Sequence, residues 1–337
     1  MKKAILYKKI PGKVIKCTAC SWYCRISENQ TGICGVRQNI DGDLYLLVYG
    51  KVISSHIDPV EKKPLFHFLP GTDIFSIGTV GCNFACDFCQ NWDISQVTRE
   101  KKIRDYGLPL SPEEIIKICL DHNIPSIAFT YNEPAIFFEY AYDIMLLAKK
   151  NNIKTIYVSN GYESEEQIKM LKGNLDAINI DLKAFTEKFY QKNCHAKLDP
   201  VLKNIKRFYD IGVWTEITTL IIPGENDSDK ELSQIAHFLA GIDKNIPWHI
   251  SRFHPDYKML KLGETPKKTI NQAYQIGKDA GLNYVYVGNI NDSDHENTLC
   301  PKCQSLLIER MNYNVTIKNF SKGQCRRCNQ KIPGIWV

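Results

Sequence analysis

Short apolar segments alternate with amphipathic segments through the middle of the chain. The apolar segments are rich in β-branched residues and predict strands at 74–80, 126–130, 154–159, 176–182, 213–222, 248–253 and 283–287. The amphipathic segments predict helices at 111–122, 134–151, 164–171, 199–211, 228–239 and 266–280. A capping box opens the first helix at Ser111, and Gly212 and Gly281 follow two helix ends, as is typical of helix termini.

This alternation predicts an α/β fold with a parallel sheet and right-handed crossovers. About six or seven β/α units favour a partial or full TIM-like (β/α) barrel over a short doubly wound sheet. We assign the barrel to residues 73–290, a small Cys-rich metal-binding segment to 1–72 and a zinc-ribbon-like domain to 291–337. Within the first segment, residues 43–49 predict a strand, and the proline-containing, charged stretch 51–73 predicts an ordered loop.

Composition narrows the class of protein. The chain has 337 residues, of which 44% are hydrophobic and 24% charged, as in an ordinary globular protein. Its net charge of +6 is compatible with an anionic partner but falls short of a dedicated nucleic-acid-binding protein. The N-terminus has no apolar segment typical of a signal peptide, and no run is long enough to span a membrane. We therefore expect a cytoplasmic protein without membrane contact.

Eleven of the thirteen cysteines fall into three clusters, which predicts a metal-rich protein in a reducing compartment. The central cluster is Cys82, Cys86 and Cys89, spaced C-x3-C-x2-C. Three thiolates hold three corners of an iron–sulfur cluster and leave the fourth for another ligand. Zinc is the weaker interpretation, because zinc sites come as paired C-x2-C half-sites. We predict a [4Fe–4S] cluster on these three catalytic cysteines.

The first cluster is spaced C-x2-C-x3-C-x9-C and consists of Cys17, Cys20, Cys24 and Cys34. Four cysteines so close in sequence predict one closed four-thiolate site. Zinc and a second iron–sulfur cluster both fit this spacing, and ligand type alone does not separate them.

The third cluster consists of two C-x2-C pairs, Cys300 with Cys303 and Cys325 with Cys328. This arrangement predicts a zinc ribbon. Residues 311–320 between the pairs alternate as a hairpin strand does. The segment is basic, so contact with nucleic acid is a second role to consider, but we favour a structural staple. Its basic residues are Lys302, Arg310, Lys318, Lys322, Arg326, Arg327 and Lys331.

Polar residues follow the predicted strands, at the end of a β/α barrel that carries the chemistry. The candidates for cofactor binding are Asn132, Glu133, Ser159, Asn160, Asp181, Lys183, Asn226 and His254. Each position is weak evidence alone, because polar turns after strands are common. Their order after a three-cysteine loop is the stronger signal.

The cysteine loop resembles the signature of the radical SAM superfamily, including the aromatic Phe88 before its third cysteine. About residues 10–290 resemble one branch, the AmmeMemoRadiSam system radical SAM enzymes, which are relatives of the pyruvate formate-lyase activating enzyme. The motifs that carry this resemblance are Cys34-Gly35-Val36-Arg37, Val48-Tyr49-Gly50-Lys51, Asp58-Pro59-Val60-Glu61-Lys62-Lys63-Pro64-Leu65-Phe66-His67, Cys89-Gln90-Asn91-Trp92, Thr130-Tyr131-Asn132-Glu133-Pro134 and Asn179-Ile180-Asp181-Leu182-Lys183.

The resemblance implies S-adenosylmethionine (SAM) as the ligand of the open iron. Thr130-Tyr131-Asn132-Glu133-Pro134 stands where the family has Gly-Gly-Glu-Pro, which assigns the amino group of SAM to Glu133. Lys183 is the candidate for its carboxylate, and Asn160 and Asp181 are candidates for its ribose. The turn containing Asn226 resembles the one that packs on adenine, and His254 is expected to face the site.

The resemblance also implies an activity. A reduced cluster cleaves SAM to a 5′-deoxyadenosyl radical, which abstracts hydrogen from a substrate. An electron donor such as ferredoxin or flavodoxin, anaerobic conditions, and Memo-like and Amme-like partner proteins belong to this expectation. The substrate remains open between a small molecule or RNA and, as the alternative, a glycine of a partner protein that becomes a glycyl radical. A non-catalytic scaffold with zinc at both ends is the hypothesis from another class.

Overall fold

The computed structural model describes residues 1–100, 106–290, 295–311 and 313–336. The N-terminal part contains seven short strands: β1 (Lys2–Lys3), β2 (Tyr7–Ile10), β3 (Val14–Cys17), β4 (Arg25–Ile26), β5 (Arg37–Ile40), β6 (Asp43–Leu46) and β7 (Lys51–Val52). They form two small antiparallel sheets, in the orders β1-β6-β5 and β2-β3-β4, while β7 pairs elsewhere. The strand predicted at 43–49 is confirmed as β6, with an earlier end.

The following strands are β8 (Ser54–Pro59), β9 (Asp73–Gly78), β10 (Leu108–Pro109), β11 (Ser126–Phe129), β12 (Lys154–Ser159), β13 (Ala177–Asp181), β14 (Trp214–Ile221), β15 (Trp248–Arg252) and β16 (Val285–Gly288). All except β10, which pairs with β7, belong to one eight-stranded sheet in the order β16-β15-β14-β13-β12-β11-β9-β8. The seven strands from β9 to β16 in this sheet run parallel to their neighbours, which confirms the predicted parallel sheet.

The structure narrows one expectation about this sheet and changes another. Its edge strands β8 and β16 are not paired with each other in the described part of the chain, so of the partial and full barrels that were predicted, the full barrel is not shown. The stretch 51–73 is not only a loop, because β8 pairs antiparallel with β9. An edge strand with several exposed residues, ending in proline, lacks the apolar alternation by which strands are recognised.

The helices are α1 (Trp92–Ser95), α2 (Val97–Glu100), α3 (Pro112–Asp121), α4 (Phe138–Lys150), α5 (Glu165–Leu171), α6 (Glu187–Phe189), α7 (Leu198–Asp210), α8 (Asp229–Ile242) and α9 (Lys267–Asp279). A 3-10 turn, Pro134–Phe137, precedes α4, and a π-helical turn, Tyr190–Cys194, follows α6. The six helices predicted from periodicity are confirmed within a few residues, and the predicted capping box at Ser111 is present. No helix among the described residues is long and apolar enough to cross a membrane.

Both faces of the sheet are covered. Ile77, Phe129 and Ile180 are fully buried in one cluster with residues of the surrounding helices. On the other face, Ile74 and Ala128 pack against the segment that follows β8, which includes Leu65, Phe68 and Leu69. The chain after β8 therefore covers this face of the sheet.

The C-terminal part contains β17 (Thr298–Leu299), β18 (Leu306–Met311), β19 (Asn314–Ile317), β20 (Phe320–Ser321) and β21 (Gln324–Cys325). The hairpin strand predicted within residues 311–320 is present as β19, with shorter bounds. Met311 ends β18, and β19 pairs antiparallel with β18 to form a hairpin. The proposed domain boundary at residue 291 and residue 312 lie outside the described residues.

This module is tied to the sheet by buried polar contacts. The guanidinium of Arg310 donates to the carbonyl of Phe66 at 2.7 Å and to the hydroxyl of Thr298 at 2.8 Å. The ring of His67 lies 2.7 Å from the hydroxyl of Tyr286 and 2.8 Å from the carbonyl of Pro333. Arg310, which was counted as part of a basic surface, is therefore buried and serves the packing of the module.

Candidate cluster and cofactor site

The central cysteine loop leaves the carboxyl end of β9 and is anchored by backbone hydrogen bonds. The amide of Ala85 donates to the carbonyl of Cys194 at 3.1 Å, and that of Asp87 to the carbonyl of Asn193 at 2.9 Å. These partners belong to the π-helical turn after α6, a form of helix that is common at functional sites. The loop is thus held in place by an element far away in sequence.

The three thiols of this loop lie near one another but are not in contact. Cys82, Cys86 and Cys89 lie within electrostatic reach of each other, but no three ligand atoms there fall within 4.8 Å of one another among the described residues. A single tetrahedral metal ion requires closer sulfurs, whereas a cluster binds each thiolate at a different iron. The neighbouring Asn83 is buried, and its side-chain amide nitrogen has no hydrogen-bond partner in the described structure. The three thiols therefore fit a [4Fe–4S] cluster.

Several donors surround these sulfurs. The amide of Phe84 donates to Cys82 Sγ at 3.4 Å, and the hydroxyl of Ser95 lies 3.2 Å from Cys89 Sγ. The buried thiol of Cys194 contacts Cys86, and this hydrogen bond, more than burial, raises the pKa of the Cys86 thiol. Sequence reasoning missed Ser95 and Cys194. Neither stands in a cysteine spacing pattern, so only their position in the fold reveals them.

Lys183 and Asp181, which were assigned to the SAM carboxylate and ribose, form an ion pair beside the loop. Lys183 Nζ donates to Asp181 Oδ2 at 2.8 Å and lies 5.6 Å from the ring centre of Phe88. Burial lowers the pKa of the Lys183 ammonium, but the charges of Asp181 and Cys86 outweigh burial and raise it well above its ordinary value. A cation held this way near an open iron suits a carboxylate ligand.

Glu133 is engaged with the protein. Its carboxylate accepts from the backbone of Ala135 at 3.0 Å, the backbone of Asn160 at 2.8 Å and the hydroxyl of Ser159 at 3.0 Å. The same hydroxyl lies 2.6 Å from Glu163. Burial raises the pKa of Glu133, and the charge of Glu163 raises it further. The carboxylate therefore joins the ends of two strands, a contact that the sequence-based assignment to the SAM amino group did not anticipate.

Asn132 and Asn226 make similar structural contacts. The side-chain amide of Asn132 donates to the hydroxyl of Thr79 at 3.0 Å and the carbonyl of Gly81 at 2.8 Å, which fixes the start of the cysteine loop. That of Asn226 donates to the carbonyl of Lys183 at 2.6 Å, and its oxygen accepts from the backbone of Ile222. Both side chains shape the turns around the site.

Asn160 and His254 also reach the cysteine loop. The side-chain amide of Asn160 donates to Asn83 at 2.8 Å, next to Cys82. The exposed ring of His254 lies 2.9 Å from the side-chain nitrogen of Gln90, the residue after Cys89. The structure therefore gathers all eight candidate residues around the loop, directly or through one neighbour.

The two remaining cysteine clusters differ in spacing. Cys300 Sγ lies 3.5 Å from Cys328 Sγ, and Cys303 Sγ lies 3.7 Å from Cys325 Sγ. All four of these sulfurs lie within 4.8 Å of one another, which is compatible with the predicted zinc ribbon. The four N-terminal thiols do not gather this closely in the described structure.

A cavity of about 390 Å³ opens beside the middle of β14 and the carboxyl ends of β15 and β16. Ser251 and Arg252 line it, two to three residues before His254. Glu61 and Arg310 line it as well. Arg310 Nε lies 3.8 Å from Glu61 Oε1, and Glu61 Oε2 is buried without a hydrogen-bond partner among the described residues. The cavity is the size of a small-molecule pocket and has one buried carboxylate oxygen, Glu61 Oε2, without a hydrogen-bond partner among the described residues.

Comparison with known proteins places this geometry in context. The family model of the Radical SAM superfamily matches residues 76–238. The chain is 41% identical to the uncharacterized protein MJ0808 of Methanocaldococcus jannaschii, over 98% of this chain and 99% of that protein. It is 22% identical to the 4-hydroxyphenylacetate decarboxylase activating enzyme of Clostridioides difficile, over 61% of this chain and 66% of that enzyme.

A solved structure agrees with the fold. Streptococcus suis SuiB bound to S-adenosylmethionine aligns with a TM-score of 0.51 and 13% identity, over 68% of this chain and 53% of that chain. The likeness concerns the fold alone, because the identity is low.

Proposed function

Since this chain belongs to the radical SAM superfamily, whose members are enzymes, we propose that Cys82, Cys86 and Cys89 hold a [4Fe–4S] cluster whose open iron binds SAM. The observation that carries the proposal is the spacing of these three thiols, wider than one metal ion requires, beside the partly buried cation of Lys183. When bound and reduced, such a cluster supplies the electron that cleaves SAM to a 5′-deoxyadenosyl radical, which abstracts hydrogen from the substrate.

The chain's own residues position and shield this chemistry. We assign the SAM carboxylate to Lys183, whose charge Asp181 maintains at 2.8 Å. Glu133 acts by fixing the turn, because its oxygens are occupied by Ser159, Asn160 and Ala135. The carbonyl groups of that turn, rather than the Glu133 carboxylate, are then the acceptors for the amino group.

The remaining candidates have supporting roles in this proposal. Asn132 and Asn226 hold the turns around the cofactor through their amide hydrogen bonds. Asn160 and Asp181 are assigned to the ribose hydroxyls, and His254 to the substrate side of the site. The aromatic residues of the loop itself, Phe84 and Phe88, are buried and keep water from the reactive centre.

The preferred substrate is a small molecule. The cavity of about 390 Å³ supports this choice, because it accommodates a small ligand and is lined by Glu61, whose Oε2 has no hydrogen-bond partner among the described residues. RNA is the other substrate that the leading proposal includes. The exposed basic residues of the C-terminal module support contact with an anionic polymer; they are Lys302, Lys322, Arg326, Arg327 and Lys331.

The second candidate function is installation of a glycyl radical on a partner protein. It is supported by the similarity to the 4-hydroxyphenylacetate decarboxylase activating enzyme. Transfer of deuterium into 5′-deoxyadenosine separates the two functions. A labelled small molecule or RNA donates deuterium in the first case, and a partner protein with deuterated glycine in the second.

The sequence motifs further support a place in the AmmeMemoRadiSam branch. On this basis we propose Memo-like and Amme-like proteins as partners and a low-potential protein such as ferredoxin or flavodoxin as the electron donor. Co-purification of tagged protein with homologues of these partners tests the assignment. Recovery of neither partner from cells that contain both would contradict it.

The activity is tested with anaerobically reconstituted protein, SAM and a chemical reductant. We expect the wild type to release 5′-deoxyadenosine and the triple variant Cys82→Ala/Cys86→Ala/Cys89→Ala to release none. Cys119→Ala is the matched control, because Cys119 is a buried cysteine outside the three clusters. Release by the triple variant at the wild-type rate would overturn the proposal, and zinc without iron in the wild type would favour the scaffold.

A further inference from the structure

The four N-terminal cysteines converge in the fold although their spacing is irregular. Cys17 ends β3, and its amide donates to the carbonyl of Cys24 at 2.9 Å. Cys20 stands in the turn between them, and Cys34 precedes β5. Three of these side chains are buried and that of Cys24 is partly exposed, and all four are free thiols. The chain thus builds one enclosed group of four sulfurs.

The distances within this group differ from those of the C-terminal group. Four Zn–S bonds of about 2.3 Å at tetrahedral angles hold sulfurs about 3.8 Å apart. Cys300 with Cys328 and Cys303 with Cys325 meet that requirement at 3.5 and 3.7 Å. No three of the N-terminal thiols, all of which the structure describes, lie within 4.8 Å of one another. The same chain therefore contains one group with zinc spacing and another group that is wider.

The wider group is nevertheless mutually close. Cys20 lies within electrostatic reach of Cys17, Cys24 and Cys34. The sulfurs of Cys82, Cys86 and Cys89 are spaced in the same way: they are close, but farther apart than the ligands of a single metal ion. A polynuclear cluster gives this spacing, because each thiolate binds a different iron or one of two irons.

One nitrogen of a buried arginine beside the group lacks a hydrogen-bond partner among the described residues. Arg37 is 1% exposed, and its Nη atoms donate to Glu139 at 2.6 and 2.7 Å. Its Nε has no hydrogen-bond partner in the described residues, although Arg37 lies within electrostatic reach of Cys17 and Cys34. A buried donor is rarely left unpaired, so a missing acceptor is expected there. Thiolate or sulfide sulfur of an anionic centre supplies one.

The group also packs directly on the central cysteine loop. Trp22 lies between Cys20 and Cys24, and its ring N–H donates a hydrogen bond to the carbonyl of Asn83 at 2.9 Å. The carbonyl of Cys34 accepts from the hydroxyl of Thr98 at 3.0 Å, and a Cβ on Gly81 would lie 2.7 Å from that carbonyl. The approach at Gly81 is so close that only glycine fits, which joins the two cysteine sites through packed backbone.

We propose that Cys17, Cys20, Cys24 and Cys34 hold a second iron–sulfur cluster and not zinc, and that this cluster lies against the loop of Cys82, Cys86 and Cys89. The presence of this second cluster does not depend on the proposed function. Only its position next to a SAM-binding cluster rests on that function.

Metal analysis of anaerobically reconstituted protein tests the proposal. In the triple variant Cys82→Ala/Cys86→Ala/Cys89→Ala, we expect about two to four irons with equal sulfide to remain, together with about one zinc. Adding Cys24→Ala to this background removes that iron and leaves the zinc. Cys24 is chosen because its side chain is partly exposed, so its replacement disturbs packing least.

Metal contents that contradict the second cluster differ from those that contradict the proposed function. About two zincs and no iron in the triple variant would overturn the second cluster and leave the proposed function intact. If the triple variant instead keeps all the iron of the wild type, the central loop holds no cluster, and the proposed function fails while the N-terminal cluster stands. Circular dichroism of each variant confirms that the chain is folded.

Discussion

Glu133 and Glu163 meet at one hydroxyl group, that of Ser159, which lies 3.0 Å from the first carboxylate and 2.6 Å from the second. One hydroxyl proton serves only one of the two acceptors. Glu163 Oε2 has no partner among the described residues, and both carboxyls are fully buried. Burial raises the pKa of Glu163, and burial together with the charge of Glu163 raises that of Glu133. The pair therefore retains protons in the folded protein.

The first prediction concerns the pH dependence of stability. A carboxyl with a raised pKa binds more protons when folded than when unfolded, so stability falls as pH rises from its ordinary value of 4.5 through the raised pKa. Glu163→Gln removes one charge and keeps an acceptor for Ser159. We expect it to raise stability at pH 8 by about 1–2 kcal/mol, with little effect near pH 5. Thermal unfolding at both pH values measures this.

The control for this prediction is Glu113→Gln, which replaces an exposed carboxylate in the first turn of α3. It should leave the difference between pH 5 and pH 8 unchanged. An equal pH slope in wild type and Glu163→Gln would show that Glu163 is ionised in the folded protein at all these pH values.

The second prediction concerns the hydroxyl of Ser95, which lies 3.2 Å from Cys89 Sγ. A hydrogen bond to a cluster thiolate stabilises the reduced, more negative state. Ser95→Ala should therefore lower the reduction potential of the cluster, by about 40 mV for a hydrogen bond of about 1 kcal/mol. Redox titration followed by electron paramagnetic resonance measures the shift. Ser95→Thr keeps the hydroxyl and should retain the wild-type potential; an unchanged potential in Ser95→Ala contradicts the contact.

The third prediction concerns Lys183. Lys183→Met keeps the length of the side chain but removes the cation that pairs with Asp181 at 2.8 Å. If it binds the SAM carboxylate, loss of that charge-assisted contact should raise the Kd of SAM about 10- to 100-fold. Equilibrium binding to reconstituted protein measures the change, and iron content should stay constant. Lys188→Met, on the exposed side of α6, should bind SAM normally. Normal binding by Lys183→Met would remove Lys183 from the site.

The fourth prediction concerns the C-terminal module. Cys325→Ser should remove about one zinc per chain, because a closed site needs all four sulfurs. The ring of Trp336 packs 4.7 Å from Phe320 and 5.2 Å from His67, so loss of the metal should expose it and shift its fluorescence to longer wavelength. Iron content should not change. A variant that keeps its zinc and its fluorescence would show that these cysteines do not share one metal.

Much of the fold follows from local pattern. The parallel strands and the long helices appear where apolar periodicity places them, because buried strands and amphipathic helices need those patterns to cover a core. The pattern fails where structure depends on distant partners. Strand β8 has a mostly exposed face, and Arg310 looks like a surface cation until Phe66 and Thr298 pair with it.

The candidate site divides in the same way. The spacing of Cys82, Cys86 and Cys89 and the order of polar strand ends predicted a cluster and a cofactor site. They did not predict that the side chains of Glu133 and Asn132 form hydrogen bonds with neighbouring turns. Ser95 and Cys194 carry no sequence signal at all, since a hydroxyl or thiol near a sulfur is defined only by distance.

The sequence by itself therefore determined the class of fold, the three cysteine groups and the kind of chemistry proposed for the central group, because these depend on residue type and short spacing. The tertiary structure decided how far apart the sulfurs of each group lie, which side chains remain unpaired and which sheet edges stay open. Those properties arise from contacts between segments distant in sequence, such as Trp22 with Asn83, and no local pattern encodes them.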